Sequence, residues 1–486
     1  MQAKESNQYD VIIVGAGLSG IGAAYHVQTQ NPGLSYAVLE GRPSMGGTWD
    51  FFKYPGLRSD SDMYTLGFSF YPWKNAKAIA NGKDILAYIQ ETAAHFSIDE
   101  HIRYHHKVTD ANWSSEDQLW TIQVAEHEGV PHTTLQCRFL FMCSGYYNYD
   151  TGHNPPFLGS ESFEGKIIHP QYWDQSYDYT DKEVIVVGSG ATAITLVPEL
   201  AKKAKHVTML QRSPGYILNL PSEDRVANQL KSFLPAKVAH FLARWKNILF
   251  SLWFYNTSRK RPEGVRAYIA KQTKTTLGEH YVREHFDPKY NPWDQRVCFV
   301  PDNDLFDAIK SESVSIVTDT ISKFTAKGIV LPSGKLLEAD LVVTATGLKI
   351  QLFGGMQLRL DGQPVDMGAQ HAYRGVMLSG IPNFAVAVGY TNASWTLKCD
   401  LNAQYVARIL KRMQRKKLSV VTPKYDPDSF TTEPLLDFDA GYIQRAQKLL
   451  PKQGSKAPWK VYQNYLKDLR MLRYGSIQDK YLTYKK

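Results

Sequence analysis

Apolar residues gather in two short runs that each close on glycines. Residues 9–14, YDVIIV, lead at once into GAGLSG and the helical stretch IGAAYHVQTQ, and residues 183–187, EVIVV, lead into GSGATA and ITLVPEL. An unbroken apolar run of this length predicts a strand buried on both faces, and the glycine-rich segment after it predicts a tight turn from which a helix opens. Each unit is followed by a further strand, SYAVLE at 35–40 and HVTMLQRSP at 206–214. Residues 84–95 read as helix, and 102–142 alternate as a small antiparallel sheet ending in the buried strand RFLFMCSG. DLVVTATG at 340–347 predicts another buried strand, PNFAVAVGYTNASW at 382–395 a strand and a polar turn, and 396–413 a helix. The fold class is α/β with two Rossmann-like dinucleotide-binding domains. The expected boundaries are 1–145 and 347–486 for the first domain with a C-terminal tail, and 146–214 and 296–346 for the second. A helical insert is expected over 215–295.

The two turns differ in chemistry. In the first, Gly15 permits the tight turn, Gly17 lets the backbone approach a pyrophosphate, and Gly20 lets the helix pack on its strand. The helix N-terminus offers free N–H groups to phosphate, and Glu40 at the end of the next strand can accept from ribose hydroxyls. In the second, Gly188, Ser189, Gly190, Ala191, Thr192 and Ala193 form the turn, and the following strand ends in Gln211 and Arg212 rather than in an acid. A carboxylate there would repel a 2′-phosphate whereas a guanidinium binds it, so NADPH is favoured over NADH. Two such sites in one chain imply a tightly held FAD served by a pyridine nucleotide that brings a hydride.

The insert has its own pattern. Val238, Phe241, Leu242, Trp245, Ile248, Leu249, Leu252 and Trp253 fall three or four apart, flanked by Lys237, Arg244 and Lys246. No acidic residue occurs from Arg225 to Pro262. Two readings stand: a helix packed over the substrate cavity, or a monotopic helix, 237–254, lying on a membrane surface.

Composition narrows the class. The 486 residues are 43% hydrophobic with a formal net charge of +9, enough to bury a sizeable core. The basic excess reads as a solvated surface; no nucleic-acid recognition motif accompanies it. Cys137, Cys143, Cys298 and Cys399 lack the spacing of a disulfide framework or a metal site, so reduced thiols and no metal are expected. The polar start MQAKESNQYD and the absence of a long apolar run point to the cytoplasm, with membrane association as the alternative.

Two further stretches carry the chemistry. GGTWDFFKYPGLRSD at 46–60 is a long irregular loop of the kind that tends to be functional. FEGKIIHPQYWD at 163–174 lies between the two glycine turns, with Phe163, Gly165, His169, Trp173 and Asp174 at its fixed points. Alone it reads as a loop with buried aromatics. A disulfide reductase would need a cysteine pair soon after the first nucleotide motif, where this chain has none. A monooxygenase instead lets the reduced flavin meet oxygen as a C4a-peroxide in a water-poor site beside a cation.

On these two stretches the chain resembles the type I Baeyer–Villiger monooxygenases, and SDSDMYTLGF, NPWDQRVCFVPD and GYTNASWTLKCDL are similar to the ethionamide-activating subgroup. The resemblance implies insertion of one atom of O2 beside a ketone carbonyl to give an ester or lactone, with sulfides also oxygenated. It implies Arg296 as the catalytic cation and Asp60 as its acidic partner; without the resemblance, Arg296 reads as an interdomain salt bridge. It implies FAD contacts at Ser19, Gly47, Thr48, Trp49, Asp60, Val108 and Asn392, and NADPH contacts at Arg58, Ser59 and Asp60. Gln295 stands where many members carry a lysine, leaving Arg212 as the main 2′-phosphate anchor. The alternatives are a nitrogen- and sulfur-oxygenating flavin monooxygenase, which has no need of Arg296 as an anion stabiliser, and a non-enzymatic flavin redox sensor. The 163–174 stretch reads as an interdomain connection in which His169 and Trp173 pack together, His169 serving as a hinge contact or as a buried structural histidine.

Overall fold

The computed structural model describes residues 7–125, 133–436 and 441–486; the first six residues of the polar N-terminal stretch lie outside them. The strand Gln8–Val14 runs parallel to Tyr36–Leu39 on one side and to Thr133–Met142 on the other. Its last four residues are buried, which explains an apolar run rather than an alternating one. Thr133–Met142 is long because it joins the antiparallel and the parallel parts of one nine-stranded sheet. Its first half pairs antiparallel with Leu119–Ala125, which in turn pairs with Lys107–Ser114, and its second half joins the parallel strands. The helix Leu18–Gln30 leaves the first turn and packs against the helix Trp395–Lys416.

A second, five-stranded sheet has the order Val314–Thr318, His206–Gln211, Glu183–Val187, Leu341–Thr344, Lys166–Ile168, all parallel. Its first strand in sequence therefore lies inside FEGKIIHPQYWD: Lys166–Ile168 is the edge strand, so this stretch is part of the second domain and not only a connection to it. The strands Ile217–Leu220 and Cys298–Pro301 pair parallel at the base of the insert. Between them run the helices Arg225–Phe233, Ala236–Lys260, Pro262–Leu277 and Glu279–His285.

The chain crosses between the two sheets on the way out after Met142 and on the way back after Thr344, and the crossings are paired with each other. Gln351 N–H donates to Tyr146 O and Asn148 N–H to Lys349 O, each at 2.9 Å, and His153 N–H donates to Gly347 O at 3.0 Å. His169 closes this joint, with Nε2 3.2 Å from the same Gly347 carbonyl and Nδ1 accepting from Gln171 N–H. Both ring nitrogens are thus occupied in the neutral form, and burial holds the pKa below its ordinary value. His169 and Trp173 do not pack together. A short 3-10 turn, Pro170–Tyr172, separates them, so four-residue spacing does not put them on one face; Trp173 enters the core of the second domain with Val184, Val186 and Leu341.

The insert also departs from expectation. The long helix Ala236–Lys260 buries Ala239, His240, Ala243 and Arg244, while Val238, Phe241, Leu242, Leu249 and Trp253 stay exposed. Arg244 is not a flanking surface charge. It is buried, and its Nη1 donates to Tyr64 O at 2.7 Å and Gly67 O at 2.8 Å. Asn247 on the same side donates to Asp62 Oδ1 at 2.9 Å. The carbonyls of Tyr64 and Gly67 take a donor from Arg244 and so draw this side of the helix inward, because a buried carbonyl left without a donor costs about 1–3 kcal/mol. The apolar stripe is split: Ile248 is buried and Trp245 and Leu252 pack against the core, while none of its residues lines the large cavity described below.

Candidate active site

A cavity of about 650 Å³ opens at the carboxyl ends of the strands Gln8–Val14 and Thr133–Met142, where ligands of parallel α/β sheets bind. The glycines of the first turn divide the work there. A Cβ on Gly20 would sit 1.8 Å from Gly15 O, so this glycine is demanded by the close packing of helix on turn. A Cβ on Gly17 would meet nothing nearer than Gly47 Cα at 3.5 Å. The protein's own packing does not require a glycine at that place, and its open side faces the cavity, as the approach of a pyrophosphate would need. Glu40 is buried, with Oε2 accepting from Ala16 N–H at 2.9 Å and Oε1 from Arg42 N–H at 3.1 Å. Burial pushes its carboxyl up, opposed by those two N–H groups and by the Arg42 charge. Each oxygen keeps a lone pair for a ribose hydroxyl.

The loop 46–60 is clamped between the two domains. Gly47 faces Gly17, while Gly56, at φ +73°, lies so close to Thr195 O of the helix Ala191–Leu200 that a Cβ would approach it to 2.9 Å. Thr48, Trp49, Arg58, Ser59 and Asp60 line the cavity, as do Ser19 and Val108. Arg58 pairs with Asp304 through Nη1, but its Nη2 is buried and has no hydrogen-bond partner among the described residues. The Ser59 hydroxyl is engaged locally, donating to Ser61 O. From the other side of the cleft come Thr192 and Arg296. Arg296 Nη2 lies 2.7 Å from Asp60 Oδ2, and the guanidinium remains less than half exposed beside the cavity.

The remaining sequence-derived residues take several places. Gly190 has nothing within 4 Å of a Cβ and caps the exposed start of Ala191–Leu200 with Ala191, whereas Gly188, at φ +138°, and buried Ala193 serve packing. Ser189 donates to Ser213 O at 3.3 Å. Arg212 is exposed just past the strand end. Gln211 is not available to a nucleotide: it is buried, and its amide donates to His285 O and Thr318 Oγ1, tying the strand to the insert. The Asn392 side chain also turns away. Its amide donates to Gln463 O, and it lines a separate cavity of about 210 Å³, because Tyr390, Ala393 and Trp395 take the places facing the large one. Phe163 packs with Phe324, and Gly165 fits under Asp340 O. Asp174 closes its own turn, held down to about 2 by Lys166 and Ser176.

Sequence reasoning missed the aromatic wall. Tyr149 stacks on Phe51 at 4.1 Å with Arg42 over both rings, and Tyr146 stacks on Trp395 at 5.0 Å. GYYNYD directly after the buried strand was the available signal, since residues just past the carboxyl end of a parallel strand face the ligand. Cys143 also reaches the cavity, but burial pushes its thiol far up, and Cys298 beside Arg296 is pushed up to about 12. Neither offers a thiolate at neutral pH.

The Glu40 side of the cavity thus offers the groups a dinucleotide would need, Arg296 and Asp60 stand at its wall, and Arg212 lies outside its lining. A family model described as flavin-binding monooxygenase-like matches residues 8–353. The chain is 53% identical over 479 residues to the FAD-containing monooxygenase EthA of Mycobacterium tuberculosis, covering 98% of each chain. Its fold matches that of an oxidized steroid monooxygenase bound to NADP, with a TM-score of 0.75 at 21% identity, covering 98% of this chain and 99% of that one. It also matches a cyclohexanone monooxygenase from Rhodococcus sp. Phi1 bound to NADP+, with a TM-score of 0.75 at 19% identity, covering 99% and 100%. The chain belongs to the flavin-binding monooxygenase-like family.

Proposed function

We propose that the chain is a Baeyer–Villiger monooxygenase, converting a ketone, O2, NADPH and a proton into an ester or lactone, NADP+ and water. The observation that carries this reading is the Arg296–Asp60 pair at the cavity wall. Bound FAD, reduced by NADPH, supplies the activation of O2. The chain's own residues do the rest. Arg296 is permanently charged and donates to the substrate's carbonyl oxygen as negative charge develops there, a contribution of about 3–4 kcal/mol for a well-placed donor. Asp60 holds the guanidinium in orientation by a charge-assisted hydrogen bond. The rings of Phe51, Tyr149, Tyr146 and Trp395 make an apolar wall that limits water. On the nucleotide side, Glu40 holds the FAD ribose, the start of Leu18–Gln30 the pyrophosphate, and Arg212 the 2′-phosphate of NADPH.

The reading is tested by incubating the holoenzyme with NADPH and a panel of linear ketones, cyclic ketones and thioethers and analysing products. Ester or lactone formation that is lost in Arg296→Ala supports it. Sulfoxide as the sole product, unchanged in that variant, would assign the chain to sulfur oxygenation instead, since attack by a thioether develops no carbonyl oxyanion.

A further inference from the structure

The helix Ala236–Lys260 spans 25 residues, about 37 Å at 1.5 Å per residue. It is bolted to the body by the contacts of Arg244 and Asn247, so its outward face is fixed. That face is apolar. Phe241 is 57% exposed, Leu249 52% and Trp253 60%, with Val238 and Leu242 on the same stripe and Phe250 at its edge. Phe233 and Val226 extend the surface onto the preceding helix at 69% and 49%. Isolated exposed apolar residues need no explanation, but a continuous stripe along one rigid helix marks an interaction surface. The helix is not a span: no helix among the described residues is long and apolar enough to cross a membrane.

The charges around the stripe choose its partner. Arg225, Lys237, Lys260 and Arg261 are exposed along it, and no acidic residue lies between Asp224 and Glu263. Asp224 itself is engaged by Lys246. A second copy of this chain docking face to face would bring two basic strips together with no acid within 225–262 to compensate, which electrostatic complementarity disfavours. An anionic phospholipid surface meets both features at once: its acyl boundary takes Phe241, Leu249 and Trp253, and its headgroups take the lysines and arginines. We propose that this face is a peripheral docking surface for an anionic phospholipid bilayer, through which the enzyme lies on a membrane without crossing it.

Flotation of the holoenzyme with vesicles tests this directly. The wild type is expected to float with vesicles containing phosphatidylglycerol, and to do so at least about tenfold less with pure phosphatidylcholine or at raised salt. The double variant Leu242→Ser/Trp253→Ser should partition at least about tenfold more weakly while oxidising NADPH at the wild-type rate with a water-soluble substrate. Should that variant fold poorly, Lys237→Glu/Lys260→Glu changes only exposed charges and carries the same expectation. The blue shift of tryptophan emission on adding anionic vesicles should shrink in Trp253→Phe. A wild type that stays in the soluble fraction with anionic vesicles, or variants that float as well as it does, would overturn the proposal. So would a concentration-dependent dimer that the double variant abolishes in the absence of flotation, which would assign the face to a second copy.

Discussion

Arg296 Nη2 and Asp60 Oδ2 are 2.7 Å apart, joining a residue that follows the helical insert to the end of the loop that the two nucleotide domains clamp between them. A guanidinium held this way is fixed in orientation at the cavity wall. Arg296→Ala should still be reduced by NADPH, because nothing in the Arg212 site is touched, yet make ester at least about a hundredfold more slowly and release hydrogen peroxide in its place. Asp60→Asn keeps the cation but loosens its orientation, with a loss nearer tenfold. Stopped-flow reduction measured beside product chromatography separates the two steps; unchanged ester formation in Arg296→Ala would remove it from the mechanism.

Arg212 is exposed at a strand end with no acid beside it in sequence, so its guanidinium is free to choose between nucleotides. Loss of a charge-assisted contact to a 2′-phosphate costs about 1.5–3 kcal/mol. Arg212→Ala should raise the KM for NADPH about tenfold to a hundredfold and leave NADH kinetics almost unchanged. Equal effects on both cofactors would show that the 2′-phosphate is read elsewhere.

Gly17 and Gly20 look alike in the sequence and should behave differently. A methyl on Gly20 collides with the Gly15 carbonyl at 1.8 Å, a backbone contact that cannot yield, so Gly20→Ala should accumulate as misfolded or insoluble protein. A methyl on Gly17 makes an ordinary contact at 3.5 Å and projects into the cavity. Gly17→Ala should fold, with circular dichroism like that of the wild type, but purify without the yellow of bound flavin.

How far the sequence carried these conclusions varies with the kind of signal. The strand, turn and helix of each nucleotide unit were legible because burial on two faces forces an apolar run and close packing forces glycine, both local demands. Arg296 and Asp60 were legible only through family resemblance, since no local pattern brings together residues so far apart. Gln211 looked like a ligand because of its position at a strand end; its burial depends on the insert helix Glu279–His285 folding back over it, which periodicity does not reveal. The long insert helix shows the same limit. Spacing told which residues share a stripe, but carbonyls near 62–67, elsewhere in the chain, decided that the opposite side with Arg244 would face inward.

His240 on that inward side gives the stability a pH dependence of definite sign. It is buried, with Nε2 3.2 Å from Phe68 O. Burial, reinforced by the charges of Arg244 and Lys231, lowers its pKa from 6.5 to about 4. The folded protein thus refuses a proton that the unfolded chain accepts once the pH falls below 6.5. Above that value His240 is neutral in both states and contributes no slope. Between 6.5 and about 4 the stability declines as pH falls, and below about 4 the loss levels off. At about 1.4 kcal/mol per pH unit, the difference should reach on the order of 2 kcal/mol by about pH 5. His240→Gln can still donate an amide proton to Phe68 O but cannot titrate, so urea unfolding of this variant should lose that part of the slope between about pH 7 and about pH 5. An identical slope in wild type and variant would show that His240 takes up its proton equally in both states, and that the inward face of the helix is wetter than its packing against Tyr64 and Phe68 implies.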